Sequence, residues 1–254
     1  MKTRILSEDD QLLICFKPAG LAVQSARPGE ADMVSELKNY LAVSAGKAAG
    51  GRRKPPYLGV VHRLDQPVSG LLVFAKTPKA AAALSAQAAG DGMEKEYRAL
   101  VWAEDAQALS RVFPQMSSSA LSQPSPRHEE ERELIDFLKK EPGQNLSRVV
   151  SAQTPGAKRA HLTLRFLELR ETPAGRIACV SVRLHTGRHH QIRVQLSHAG
   201  LPLLGDMRYG NAQSQACSRS LGIRSLCLCA CRLSFVHPAA GKKTVFQTEE
   251  FPWK

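Results

Sequence analysis

The chain has 254 residues, 43% hydrophobic and 23% charged, enough apolar material for a sizeable core and too much for a disordered chain. Against 23 Asp and Glu stand 35 Lys and Arg, a formal net charge of +12, which points to a polyanionic partner, nucleic acid first. The start, MKTRILSEDDQ, holds no apolar stretch fit for a signal segment, and no window approaches the roughly 18 apolar residues of a membrane span. The six cysteines are therefore expected as free thiols in a reducing cytoplasm.

Residues 4–25 read as two short strands around the Lys17-Pro18-Ala19-Gly20 turn. Apolar residues at Met33, Val34, Leu37, Tyr40 and Leu41 give residues 32–45 a helical period. A basic loop, 46–56, follows, and its run Arg52-Arg53-Lys54 is a candidate contact for RNA phosphates. After the apolar run 71–75, TPKAAAALSAQAA predicts a helix that starts at Thr77 and stops at Gly90. KEYRALVWA predicts a strand.

Residues 103–133 change character: Ser- and Pro-containing at 114–126, then HEEERE. They read as a polar surface insertion rather than a second core. Strands resume at KRAHLTLRFLELRE and GRIACVSVRLHTG, QIRVQLSHA opens a helix stopped by Gly200, and LCLCACRLSFVHP and KTVFQTE supply further strands. Cys227, Cys229 and Cys231 are spaced by two, not by the three of a C-x-x-C knuckle, and alternation puts them on one strand face as small buried hydrophobes. No metal site is expected. The order of elements predicts one α+β domain, a sheet with a few helices packed on it.

Three segments concentrate polar groups that core packing does not require: HRLD with Ser69-Gly70, the Lys95 and Tyr97 pair on one strand face, and HTGRHHQIR. An aspartate directly ahead of an apolar strand is costly unless a cation is near, and arginine is its natural partner. Paired in this way it stays ionised at neutral pH, as a nucleophile or charge stabiliser must. On spacing alone the alternative stands beside this: Asp65 caps a surface turn and Arg63 is merely solvated.

HRLDQPVSGLLVFAK resembles the active-site block of the RluA-type RNA pseudouridine synthases, H-R-L-D-x-x-T-S-G-L. EDDQLLICFKPAGLAV, KEYRALV, TGRHHQIRVQLSHAGLPLLGDMRYG and CRLSFVHPAAGK resemble four further blocks of that family in the same order. The resemblance implies the family's fold, an α+β catalytic domain with a mixed, mostly antiparallel central sheet flanked by helices. It implies a single domain over 1–254 with the insertion at 103–133 and no N-terminal RNA-binding domain. It further implies isomerisation of uridine in ribosomal or transfer RNA to pseudouridine by base flipping, with no cofactor and no metal, in a monomer.

The family's essential aspartate maps to Asp65, its strand tyrosine to Tyr97, against the flipped uracil and in proton transfer, and its H-Q-I-R arginine to Arg193, as the partner of Asp65. Arg63, His62, Arg188, His190, Gln191 and Leu203 make up the implied substrate-binding set. Leu203-Leu204 and Gly205-Asp206 form a wall and a turn near that pocket, chiefly by packing. Attack at the sugar C1′ and a glycal-type intermediate both remain compatible with the sequence.

The chain departs from the family pattern in having Gln66-Pro67-Val68 where a Thr precedes Ser-Gly, which is expected to alter local hydrogen bonding and leave activity intact. It also lacks the family's Gly after the K-x-Y strand. Two competing readings are a non-catalytic RNA-binding module on the same fold, and a metal-free ribonuclease using His62, His189 and His190.

Overall fold

The computed structural model describes residues 1–25, 27, 29–46, 55–114, 131–173 and 175–253. In chain order the elements begin with β1 (Arg4–Glu8), β2 (Leu12–Lys17), α1 (Met33–Gly46), β3 (Gly59–Val60), β4 (Ser69–Ala75), α2 (Pro78–Ala89), β5 (Glu94–Ala103) and α3 (Ala106–Val112). They continue with β6 (Glu131–Glu141), β7 (Leu146–Val150), β8 (Lys158–Thr172), β9 (Gly175–Leu184), α4 (Gln191–His198), α5 (Ala212–Ser220), β10 (Leu228–Val236) and β11 (Lys243–Gln247). The fold is α+β with a mixed, mostly antiparallel sheet. Its residues divide into two units, Met1–Lys95 with Cys229–Pro252, and Glu96–Leu228 with Trp253.

In the first unit β1 and β2 form an antiparallel hairpin. Its turn is made by Asp9, whose Oδ1 accepts from the N–H groups of Gln11 and Leu12 at 2.7 and 2.8 Å. The expected placement of two strands around Lys17-Pro18-Ala19-Gly20 is thus corrected: both strands lie before Pro18, with Lys17 ending β2, because an Asp that bonds the backbone two and three residues on makes the tighter turn. β2 runs antiparallel to β4 from Leu12↔Ala75 to Lys17↔Gly70.

All seven residues of β4 are buried. β10 joins it in parallel at Cys229↔Ser69 and Ala230↔Gly70. Only glycine fits there: Gly70 has φ +126°, and a Cβ on it would stand 2.4 Å from the nitrogen of Ala230. The α2 helix has the predicted ends, with Thr77 accepting from Ala80 N–H and Gly90 donating to Ala86 O. Leu84 of α2 packs with Ile14, Leu71, Val73 and Phe235 in the core of this unit.

In the second unit the strands lie in the order β5-β9-β8-β6-β7. The β6–β7 hairpin was not expected, and the region 103–133 is corrected at both ends. Asp105 caps α3 by accepting from Ala108 N–H at 2.7 Å, and Leu109 of the helix and Phe113 just after it have no exposed surface. At the other end Glu131–Glu133, read as part of the insertion, open β6. Residues 115–130, like Arg52, Arg53 and Lys54, lie outside the described residues.

Cys229 and Cys231 alternate along β10 as expected and are buried together with Leu228 and Ala230. Burial pushes the thiols of Cys227 and Cys229 up to about 12 and about 11. Among the described residues no helix is long and apolar enough to cross a membrane, and no group of His, Cys, Asp and Glu is placed to hold a metal ion.

Candidate active site

Asp65 stands half-buried in the loop that enters β4. Buried Leu64 and Val68 flank it, and its carbonyl accepts from Val68 N–H at 3.0 Å. The loop is clamped from below by Lys17, a lysine with no exposed surface at the end of β2. Lys17 Nζ donates to the carbonyls of Pro18, Leu21 and Gln66 at 3.0, 2.7 and 2.8 Å, one acceptor for each proton of an ammonium.

Gly20 N–H donates to Gln66 O at 2.9 Å, and Gln66 Nε2 donates back to Gly20 O at 3.1 Å. Gln66 and Val68, the departures from the family pattern, thus serve the loop by a hydrogen bond and by burial. Burial drives the Lys17 pKa down to about 7, while the negative charge of Asp65 pulls it upward.

Arg63 is exposed. His62 is half-buried. Its Nε2 accepts from Val73 N–H at 3.3 Å, and its Nδ1 is buried without a partner among the described residues. Burial first, and Lys95 second, push its pKa down to about 3, so the ring is neutral. Burial also lowers the pKa of Lys95.

In the second unit Tyr97 is buried on β5 and Arg193 is buried on α4. Arg193 grips Asp206 with a bidentate fork: Nε to Oδ2 and Nη2 to Oδ1, both 2.8 Å. Burial works to raise the Asp206 pKa, but the bonds and charge of Arg193 outweigh it and hold the carboxyl below the usual range. Asp206 was read as part of a packing turn, and its partnership with Arg193 was missed. The signal was there: a lone acid after the apolar LPLLG needs a cation for the same reason Asp65 does.

Three residues of the expected substrate-binding set are occupied in the fold. Gln191 is buried, accepts from Thr186 Oγ1 and Arg188 N–H at 2.8 and 3.0 Å, and donates to His161 O at 3.1 Å. His190 is buried in the left-handed region at φ 55°, stacks on His189 with centroids 3.7 Å apart, and bonds the Tyr209 hydroxyl through Nδ1 at 2.8 Å. Burial, aided by Arg193, pushes its pKa down to about 3. Leu203 is 1% exposed and bridges to Val101 of β5. The side-chain amide of Gln191 and the Nδ1 nitrogen of His190 are thus engaged within the fold. Arg188 remains exposed, with Nε donating to Arg159 O at 2.8 Å.

Residues 11–198, a span that contains Asp65, Tyr97 and Arg193, match the family described as RNA pseudouridylate synthase. The chain is 32% identical over 247 residues to the ribosomal large subunit pseudouridine synthase D of Zymomonas mobilis, covering 96% of this chain and 68% of that protein. It is 30% identical over 240 residues to the ribosomal large subunit pseudouridine synthase C of Salmonella typhimurium, covering 94% of this chain and 63% of that one. The solved structure of human RNA pseudouridylate synthase domain containing 1 superposes with a TM-score of 0.69 at 18% identity, over 98% of this chain and 83% of that chain, a likeness of fold. The matches fix the class, an RNA-modifying isomerase. The chain belongs to the RNA pseudouridylate synthase family, in its RluA-type branch.

Proposed function

We propose that this chain isomerises uridine to pseudouridine in ribosomal RNA, in the cytoplasm, with Asp65, Tyr97 and Arg193 as its catalytic residues. The observation that carries the reading is the Asp65 loop. A carboxylate of the family's motif sits half-exposed on a backbone held by a fully bonded buried lysine, at a position inside the matched span. A rigidly held, accessible carboxylate suits chemistry at a sugar carbon.

The reaction breaks the bond from C1′ to N1 and makes one from C1′ to C5. The C5 proton is released and N1 gains one, so composition is unchanged. Asp65 acts at the sugar, and Tyr97 serves the proton transfer at the detached uracil. Arg193 supplies a cationic group to the reaction. Extruding the base from structured RNA costs on the order of a few kcal/mol, and exposed Arg63 offsets part of this by holding the target nucleotide out of its stack. The names of the relatives support ribosomal RNA as the substrate.

The test is tritium release from RNA labelled at uridine C5, using large-subunit ribosomal RNA and a transfer RNA pool. The native protein is expected to release tritium from ribosomal RNA without changing its length, and Asp65→Asn to release none. Release from transfer RNA alone would overturn the substrate, and salt-sensitive binding with no release from either pool would overturn the activity.

A further inference from the structure

A guanidinium on a long flexible stem is not aimed by the helix that carries it. For Arg193 the aim comes from the turn at 205–210. Asp206 takes Nε and Nη2 in its bidentate fork, with side-chain exposures of 6% for Arg193 and 0% for Asp206. That grip uses two of the five guanidinium N–H groups and fixes rotation within the plane. Tyr209 fixes the tilt: its ring lies against the guanidinium face, 5.0 Å from ring centroid to Cζ, within cation–π range.

Both residues are themselves held. Asp206 Oδ1 accepts from the N–H groups of Arg208 and Tyr209 at 2.9 and 3.1 Å. The Tyr209 hydroxyl accepts from Ser147 N–H of β7 at 2.9 Å and bonds His190 Nδ1 at 2.8 Å. The turn itself depends on Gly205, at φ +72°, where a Cβ would stand 2.0 Å from the Ser225 carbonyl oxygen.

We propose that Asp206 and Tyr209 are positioning residues for Arg193, the carboxylate setting the rotation of the guanidinium and the aromatic ring its tilt. The inference rests on Arg193 being catalytic, as proposed above. A merely structural bridge between α4 and the turn predicts a loss of stability alone. A positioning pair makes the catalytic contribution of Arg193 depend on both partners.

Single-turnover isomerisation and RNA affinity are measured for Arg193→Lys, Arg193→Ala, Asp206→Asn, Tyr209→Leu and Tyr209→Phe, and for the doubles that join Arg193→Lys to Asp206→Asn or Tyr209→Leu. Asp206→Asn and Tyr209→Leu are each expected to lower the rate constant about tenfold or more, as misplaced groups do, with RNA affinity kept. Tyr209→Phe keeps the ring and recovers most of the Tyr209→Leu loss. Each double is no slower than Arg193→Lys alone, because the pair acts only through the arginine.

Losses that multiply in the doubles overturn the proposal, as do native rates in Asp206→Asn and Tyr209→Leu alongside a slow Arg193→Lys. Native rates in Arg193→Lys and Arg193→Ala mark a different failure, that of Arg193 as a catalytic residue. If Asp206→Asn does not fold, the Tyr209 variants decide the matter through the same cycle.

Discussion

A lysine without exposed surface is tolerated when every proton of its ammonium has an acceptor, and Lys17 meets that condition with three carbonyls. Lys17→Met keeps the apolar stem and leaves those three oxygens without their donor in a buried site. The expected loss is about 3 kcal/mol of unfolding free energy, read from the shift of the urea midpoint at unchanged slope. Because Gln66 O is one of the three and Asp65 is its neighbour, the folded variant is also expected to isomerise uridine more slowly than native protein at equal folded fraction. The role of Lys17 was hard to see in the sequence, since a lysine after an apolar strand and before Pro-Ala-Gly looks like any strand terminus. Asp65 was legible because HRLD is a dense set of charges beside an apolar run. The hydrogen bonds that tie His62 to Val73 and His190 to Tyr209 were not legible, since such pairings leave no mark on the identity of a residue.

Elements with a strong local signal were readable and those made by tertiary context were not. The α2 helix carries its own start and stop in Thr77-Pro78 and Gly90. Thr77→Ala removes the acceptor for Ala80 N–H and is expected to cost about 1 kcal/mol, measured by denaturant unfolding. The β6–β7 hairpin offered no such signal. Leu138 is the one fully buried position on β6, and the rest of its pattern is exposed or half-exposed, so the period-2 alternation that marks a strand is absent. The α5 helix hid for a related reason: it buries Ser214, Cys217 and Ser218, small residues that show no apolar stripe. In β4 the apolar run was plain, but the need for Gly70 was not, because it arises from Ala230, a residue 160 positions along the chain. Gly70→Ala is expected to break the β4–β10 pairing and cost about 3 kcal/mol or more, the added Cβ having backbone and not a flexible side chain in its way. A matched loss in Gly90→Ala, where a Cβ meets only a carbonyl at 3.6 Å, would refute that cause.

At the scale of the whole molecule the buried histidines set the response to acid. His62 and His190 fall from the ordinary 6.5 to about 3 on folding, and burial lowers His189 as well. Between those values the unfolded chain holds protons that the folded chain does not, so stability rises with pH there and falls as pH drops from about 6.5. Each such group contributes a slope of up to about 1.4 kcal/mol per pH unit. The depressed carboxylates act in the same direction but lower down. Asp32 and Glu36, whose burial penalty is outweighed by backbone hydrogen bonds, stabilise the fold fully only well above their ordinary values of 3.8 and 4.5 and lose that contribution as pH falls through them. The interval from about pH 6.5 to pH 5.5, above the ordinary 4.5 of Glu8, Glu36 and Glu94, therefore reads mainly the histidines. Unfolding free energies measured across it should fall steadily in the native protein and less steeply in His62→Gln, which keeps an acceptor for Val73 N–H but has no proton to gain. A slope in His62→Gln equal to the native one would mean that His62 titrates in the folded protein as it does in the unfolded chain. Its ring would then be open to water.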